Sequence, residues 1–405
     1  MHAYLLEFGN LLLRWLHVIA AIAWIGESIY FVMLDNSLRP PQGSAARNRG
    51  VFGEMWAVHG GGFYHNQKYL TNPAELPDDL HWSYWKAYST WLSGFALFAI
   101  LYLRKPDVYL TNPSSPWAWA AALEPWQAAA AAVIFLLAGW VIYDQLCRRI
   151  SPTMERDGLL SAAVGVMMVF VAYLSVQMFQ GRAAFLLTGA VMATCMSANV
   201  LFWIIPGQRR MVAALKANVP PDPLDGMRGK QRSVHNTYFT LPVVFLMLSN
   251  HYSFTFTSPH AWIILSLFIF AGAAIRQYFV LRHLGKNQLA YPAVGVALLL
   301  VIAWLGAPAR TMAPTASLAS PSGTAGMQQV QAIIEARCVQ CHAAKPTQPG
   351  FVSAPLGVVL ETTDQIALHG AKIKETVASN YMPLGNLTGM TNAERATITN
   401  WSIPH

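Results

Sequence analysis

The chain has 405 residues, of which only 11% are charged and 54% hydrophobic, with a formal net charge of +8. A typical soluble domain carries about 25% charged residues, so the apolar excess excludes most soluble classes and requires burial in a bilayer rather than in one globular core. Disorder, collagen and a disulfide scaffold are excluded too, by the apolar content, the lack of a glycine period and the presence of only four cysteines.

In chain order, eight apolar runs stand out, at roughly 11–34, 87–103, 128–146, 159–179, 184–206, 235–252, 262–281 and 291–306. Each is near the ~20 residues a helix needs to cross a bilayer core. The runs at 87 and 291 are short, and the one at 235 is interrupted by Asn236, Thr237, Thr240 and Pro242. Polar residues inside a span face the bundle interior. Taken alternately, one set of loops holds sixteen Lys and Arg and the other only Arg104, Lys105 and Arg182. The positive-inside rule then places both termini outside the cytoplasm, so the basic excess serves orientation and not nucleic-acid binding. The N-terminal run is read as a span and not as a secretory signal, because Glu7 precedes it and Arg14 lies within it.

Histidine placement is informative. His17 lies in the first span, while His235 and His251 mark the inner and outer ends of the sixth. A histidine within a membrane is expensive, and two at similar depth on different helices could hold a non-covalent b-type haem, for which His17 with His251 near the outer face is the candidate pair. The long inner loop carries Glu54, Trp56, His59, three successive glycines, Phe63, Tyr64, His65 and Lys68. This stretch reads either as a ligand site, with glycines that let backbone approach closely, or as an interfacial connector anchored by its aromatic rings. Cys147 and Cys195 have no partner at ligand spacing and read as packing residues.

After the last span, residues 307–326 are rich in Ala, Pro, Ser, Thr and Gly and read as a flexible linker, with a reach of roughly 25 Å. Residues 327–405 are polar and form a small domain that needs a staple. The staple is Cys338-Val339-Gln340-Cys341-His342, a C-x-x-C-H. Two thiols one helical turn apart can each add to a haem vinyl group, and the adjacent His342 then becomes the proximal iron ligand of a c-type haem. Met382, before Pro383, is the candidate distal ligand, with Met390 as competitor; a His/Met pair suits electron transfer. Val330 to Arg337 and Thr391 to Ser402 read as helices, the second opened by a capping box from Thr391 to Glu394. The fold class expected is therefore all-α, an eight-helix transmembrane bundle over residues 1–306 followed by a domain like a small class I cytochrome c.

Both parts resemble the bacterial membrane-bound urate oxidase (urate hydroxylase) family, in which an eight-helix domain is fused to a C-terminal cytochrome c. The matching stretches are Arg14 to Phe31, Gly53 to Tyr69, Leu80 to Gly94, Ser233 to Tyr252 and Tyr381 to Ala393. The resemblance implies oxidation of urate to 5-hydroxyisourate with water as oxygen source. Electrons would pass to the c-type haem and on to a downstream cytochrome c or terminal oxidase, with no hydrogen peroxide formed, in a bacterial inner membrane whose lipid surrounds the bundle. The expected catalytic groups are Glu54, His59, His65, Lys68 and His235. Glu27, an acid within the first span, requires a partner.

Overall fold

The computed structural model describes residues 2–70, 73, 76–307, 323–348, 351, 354–355 and 358–403, so most of the expected linker lies outside the described residues. Its principal helices are α1 (His2–Ser37), α2 (Trp85–Phe98), α3 (Pro125–Ile150), α4 (Asp157–Met178), α5 (Gly181–Asn199), α6 (Ile205–Lys216), α7 (Pro223–Leu248), α8 (Ala261–His283) and α9 (Ala290–Leu305). Four more follow, α10 (Gly323–Arg337), α11 (Thr363–Leu368), α12 (Gly370–Ala378) and α13 (Asn392–Asn400).

All eight apolar runs fall on helices. Among the described residues, five helical stretches are long and apolar enough to cross a membrane: Phe8–Ser37, Pro125–Ile150, Asp157–Met178, Gly181–Lys216 and Ala261–His283. α9 is apolar but has 16 residues. α2 has 14 residues and continues through a π-helical turn, Ala99–Leu103. α7 is diluted by Arg228, Lys230, Arg232 and His235.

Small side chains set the centre of the bundle. α5 is buried along most of its length, with Ala183, Ala184, Gly189, Ser197 and Ala198 among its buried positions. Helices in lipid are held by van der Waals contact and interhelical hydrogen bonds, and small residues permit the close approach. A Cβ on Gly189 would stand 2.9 Å from Leu246 Cβ of α7, and one on Gly139 of α3 would stand 2.6 Å from Val191 Cγ1 of α5. Pro242 interrupts α7 where Gly272 of α8 leaves room for its ring: a Cβ there would lie 2.9 Å from Pro242 Cδ. Glu27 has the partner it requires, since Lys86 Nζ donates to it at 2.8 Å and Ser83 Oγ donates as well.

The all-α expectation is corrected by one hairpin. β1 (Gly53–His59) pairs antiparallel with β2 (Gly62–Lys68), with His59 opposite Gly62. The turn between them is Gly60-Gly61, both at positive φ, the conformation that a tight two-residue hairpin demands and that glycine adopts freely. It is anchored to the C-terminal end of α1 by the Arg39–Glu54 backbone bridge and by Lys68 Nζ on Asp35 at 2.7 Å.

The C-terminal helices enclose their own core, built from Val330, Ile334, Leu360, Ile366, Val377, Met390, Ile398 and Trp401. α13 begins with the capping box read from sequence: Thr391 Oγ1 accepts from the Glu394 amide at 3.2 Å and Glu394 accepts from the Thr391 amide at 2.6 Å. Tyr381 packs against the membrane unit, its ring 5.7 Å from Phe256.

Candidate active site

The C-terminal ends of α3 and α5 and the N-terminal half of α7 build a buried polar centre. On α7, Arg228, Gln231, Arg232, His235 and Asn236 recur at the spacing of one helix face, and on α3 Tyr143 and Cys147 share another. Trp203 arrives from the π-helical turn Val200–Ile204 that follows α5, where the extra residue per turn re-aims side chains.

Asp144, 5% exposed, is the anion at the centre. It accepts from Arg232 Nη2 at 2.8 Å, Trp203 Nε1 at 2.7 Å and Arg148 Nε at 2.6 Å. Arg232 is 2% exposed and its guanidinium lies over the rings of Trp203 and Tyr143, 4.8 and 5.1 Å from their centroids. Its Nη1 donates to Asn199 Oδ1 at 3.4 Å, and the Asn199 amide donates to Tyr143 Oη at 3.0 Å and Asn236 Oδ1 at 2.9 Å. The same Tyr143 hydroxyl is hydrogen-bonded to His235 Nδ1 at 2.8 Å, which ties the imidazole into the buried network.

Beside this network lies a cavity of about 270 Å³ whose walls include Cys147, Arg148, Trp203, Arg228, Gln231 and Arg232. Gln231 Nε2 donates to Asp157 Oδ1 at 2.7 Å and the Ser151 carbonyl at 3.2 Å, so its amide is fixed in orientation with Oε1 left as an acceptor. Three guanidinium groups thus line the cavity; Asp144 pairs with two of them, Arg148 and Arg232, and Asp157 is held by Gln231. A compact planar anion bearing N–H groups matches that inventory: cations for its charge, an amide acceptor for its N–H edge. Volumes near 300 Å³ lie at the small end of ligand pockets.

The expected catalytic residues separate. Of the five, only His235 belongs to the buried network, and its Nδ1 is taken up by Tyr143. Glu54, His59, His65 and Lys68 sit on the hairpin. His65 Nε2 meets Glu54 Oε2 at 3.0 Å, its ring stacks on Trp56 with centroids 4.2 Å apart, and Lys68 pairs with Asp35. The Glu54 carboxyl is held below its ordinary range chiefly by the Gln42 backbone amide, with His65 and Gln67 adding to it. Trp56, Val58 and Phe63 are exposed beside these groups, which is the character of the interfacial connector. Cys147 is buried in the hydrophobic core, as a packing residue is, and also lines the cavity, with Sγ 4.0 Å from His235 Nδ1.

Toward the other face, His17 Nδ1 donates to the Thr90 carbonyl at 3.0 Å, with Ser93 Oγ at 3.1 Å, and its imidazole fills the space over Gly94. His251 is exposed in the short turn after α7. In the C-terminal part, His342 Nδ1 donates to the Val358 carbonyl at 2.9 Å, which leaves Nε2 as the lone-pair nitrogen. Cys338 and Cys341 are free, and burial pushes the Cys338 thiol up to about 12 and raises that of Cys341. Met382 is pinned by its amide on the Thr376 carbonyl at 3.0 Å and by Arg395 on its own carbonyl at 2.8 Å. Met390 is 3% exposed in the core.

A family model described as urate oxidase N-terminal matches residues 3–307. The chain belongs to that family. No curated protein and no solved structure matches the chain. Membership in the urate oxidase N-terminal family points to an oxidoreductase acting on urate, and the matched residues contain the whole of the cavity and the hairpin. The C-x-x-C-H lies beyond them.

Sequence reasoning missed Tyr143, Asp144, Asn199 and Trp203. Asp144 carried a signal that could have found it: an acid inside an apolar run is functional by default, and it needs a cation such as Arg232. Asn199 and Trp203 carried none, since their role depends on a helix crossing that no local pattern encodes.

Proposed function

We propose that this chain is an eight-span, membrane-bound urate dehydrogenase that converts urate and water into 5-hydroxyisourate, two protons and two electrons. The electrons leave through a c-type haem carried by the C-terminal domain. Cys338 and Cys341 would hold that haem by thioether bonds, with His342 as proximal and Met382 as distal ligand. Both termini lie outside the cytoplasm, and the electrons continue to a downstream cytochrome c or terminal oxidase of the inner membrane.

The observation that carries the reading is the state of His342 in a chain of this family. Its Nδ1–H is engaged by Val358 and its Nε2 is free, as a proximal ligand requires, because a bond from the second nitrogen sets tautomer and ring orientation. Trp401 supports the fit, since its indole N–H is buried without a partner among the described residues, a donor that a haem carboxylate would satisfy. When bound, the haem supplies a one-electron acceptor of raised potential through its His/Met ligation. The chain's own residues orient His342, pin the Met382 loop through Arg395 and dock the domain through Tyr381 on Phe256.

The test is the visible spectrum of the oxidised protein in membranes before and after anaerobic addition of urate, with quinol as comparison. Growth of the reduced α-band on urate alone supports the reading. Reduction by quinol and not by urate would make the protein a membrane-anchored electron carrier instead.

A further inference from the structure

We infer that the cavity between α3, the turn after α5 and α7 binds the urate anion and opens toward the cytoplasm, with Arg228 as the cation that captures it. This rests on the function proposed above and adds to it the place, the residues and the face of entry.

Charge is the first argument. Arg232 and Arg148 share Asp144, while Arg228, half-buried in the same wall, has no carboxylate within ion-pair distance among the described residues. A guanidinium in a cavity wall with its charge unanswered favours an anion, and it presents two parallel N–H groups to a planar oxyanion.

Hydrogen-bond chemistry is the second. A binding site for a bare inorganic anion needs donors only. This wall also holds Gln231 Oε1, oriented by two bonds through the other end of the same amide. An acceptor beside cations suits a heterocyclic anion that has both charged oxygen and ring N–H. Arg232, fixed over Trp203 and bonded to Asp144, gives that face a rigid positive floor that loses no freedom on binding.

Position is the third. Arg148 and Arg149 end α3, and Arg228 and Lys230 lie in the first turns of α7, all in the loop set that holds the basic excess. Those ends lie on the cytoplasmic side by the positive-inside rule.

The experiment uses the full-length holoprotein in sealed membrane vesicles of both orientations, with urate as the probe and haem reduction as readout. Ascorbate reduction reports haem loading separately. Wild type should respond to external urate in inside-out vesicles and fail to do so in right-side-out ones. Arg228→Gln should raise the urate concentration for half-maximal reduction about ten- to a hundredfold, the worth of a hydrogen bond to a charged group. Its thermal unfolding and ascorbate reduction should stay those of wild type, and Arg228→Lys should recover part of the affinity. If wild type is reduced by urate but Arg228→Gln keeps the wild-type concentration dependence, or if right-side-out vesicles respond equally, this inference is overturned while the urate reading stands. If urate does not reduce wild type, it is the urate reading that fails.

Discussion

Replacing Asp144 by Ala strands a nearly buried guanidinium without its carboxylate. Arg232 is 2% exposed, and its only carboxylate among the described residues is Asp144, at 2.8 Å. Removing one partner of a buried pair costs about 3–5 kcal/mol, because the desolvated charge left behind is uncompensated. Two further donors lose their acceptor, but they change the figure less. The Arg148 side chain is 53% exposed and re-solvates, and the Trp203 N–H adds roughly 1–3 kcal/mol that is not additive with the Arg232 loss, since both bonds end on one carboxylate. The expected destabilisation is therefore about 3–5 kcal/mol. It is read from equilibrium unfolding of the detergent-solubilised protein, followed by circular dichroism, for wild type, Asp144→Ala, Arg232→Met and the double variant. The double variant should regain most of the loss, because an apolar pair can replace a buried ion pair at little cost. Urate-driven haem reduction should stay low in it, since the Arg232 floor of the cavity is gone while Arg228 remains. An Asp144→Ala protein within about 1 kcal/mol of wild type, the size of an average point substitution, would refute the account of the network.

Three further outcomes follow from other parts of the chain. Met390→Ala should destabilise the C-terminal domain by about 2–5 kcal/mol in thermal unfolding, as core truncations do, and leave the haem midpoint potential in place, whereas Met382→His should lower the potential and spare stability. The Glu394 carboxyl is held below its ordinary value of 4.5, first by the Thr391 amide and then by Arg337. Its contribution is thus complete above pH 4.5 and lost as pH falls through the depressed folded value. The unfolding temperature of Glu394→Gln should lie below that of wild type at neutral pH and converge with it in acid. Gly94→Ala would place a Cβ 2.8 Å from His17 Cε1, and unfolding measurements should show a cost of about 1–3 kcal/mol, as for overpacking elsewhere.

What could be read from the sequence follows from the range of the forces involved. The eight apolar runs are helical because hydrophobicity and the helix period are local, and the Thr391 capping box was visible because it spans only four residues, Thr391 to Glu394. The hairpin was hidden by its density of histidines and aromatics, which resembles a site, although the Gly60-Gly61 pair between Trp56-Ala57-Val58 and Phe63-Tyr64-His65 was a turn signal in plain view. The Asp144–Arg232 contact joins residues 88 apart in sequence, and only the crossing of α3 and α7 brings them together.

That crossing raises a distance problem of its own. A urate site at the inner ends of α3 and α7 and a haem held by Cys338 and Cys341 on the outer side are separated by about the 30 Å of a hydrocarbon core. One direct electron transfer over that span is too slow, so the two proposals together require a redox group inside the bundle. On that proposal His17 would be a ligand, because Thr90 holds its Nδ1 as Val358 holds that of His342 and leaves Nε2 for the metal. The urate-reduced spectrum should then contain a b-type band beside the c-type one, and His17→Ala should remove the first and slow reduction of the second. A wild-type spectrum with the c-type band alone would move urate binding to the outer ends of the helices, near Asn250 and His251, and would leave the Arg228 cavity without its role.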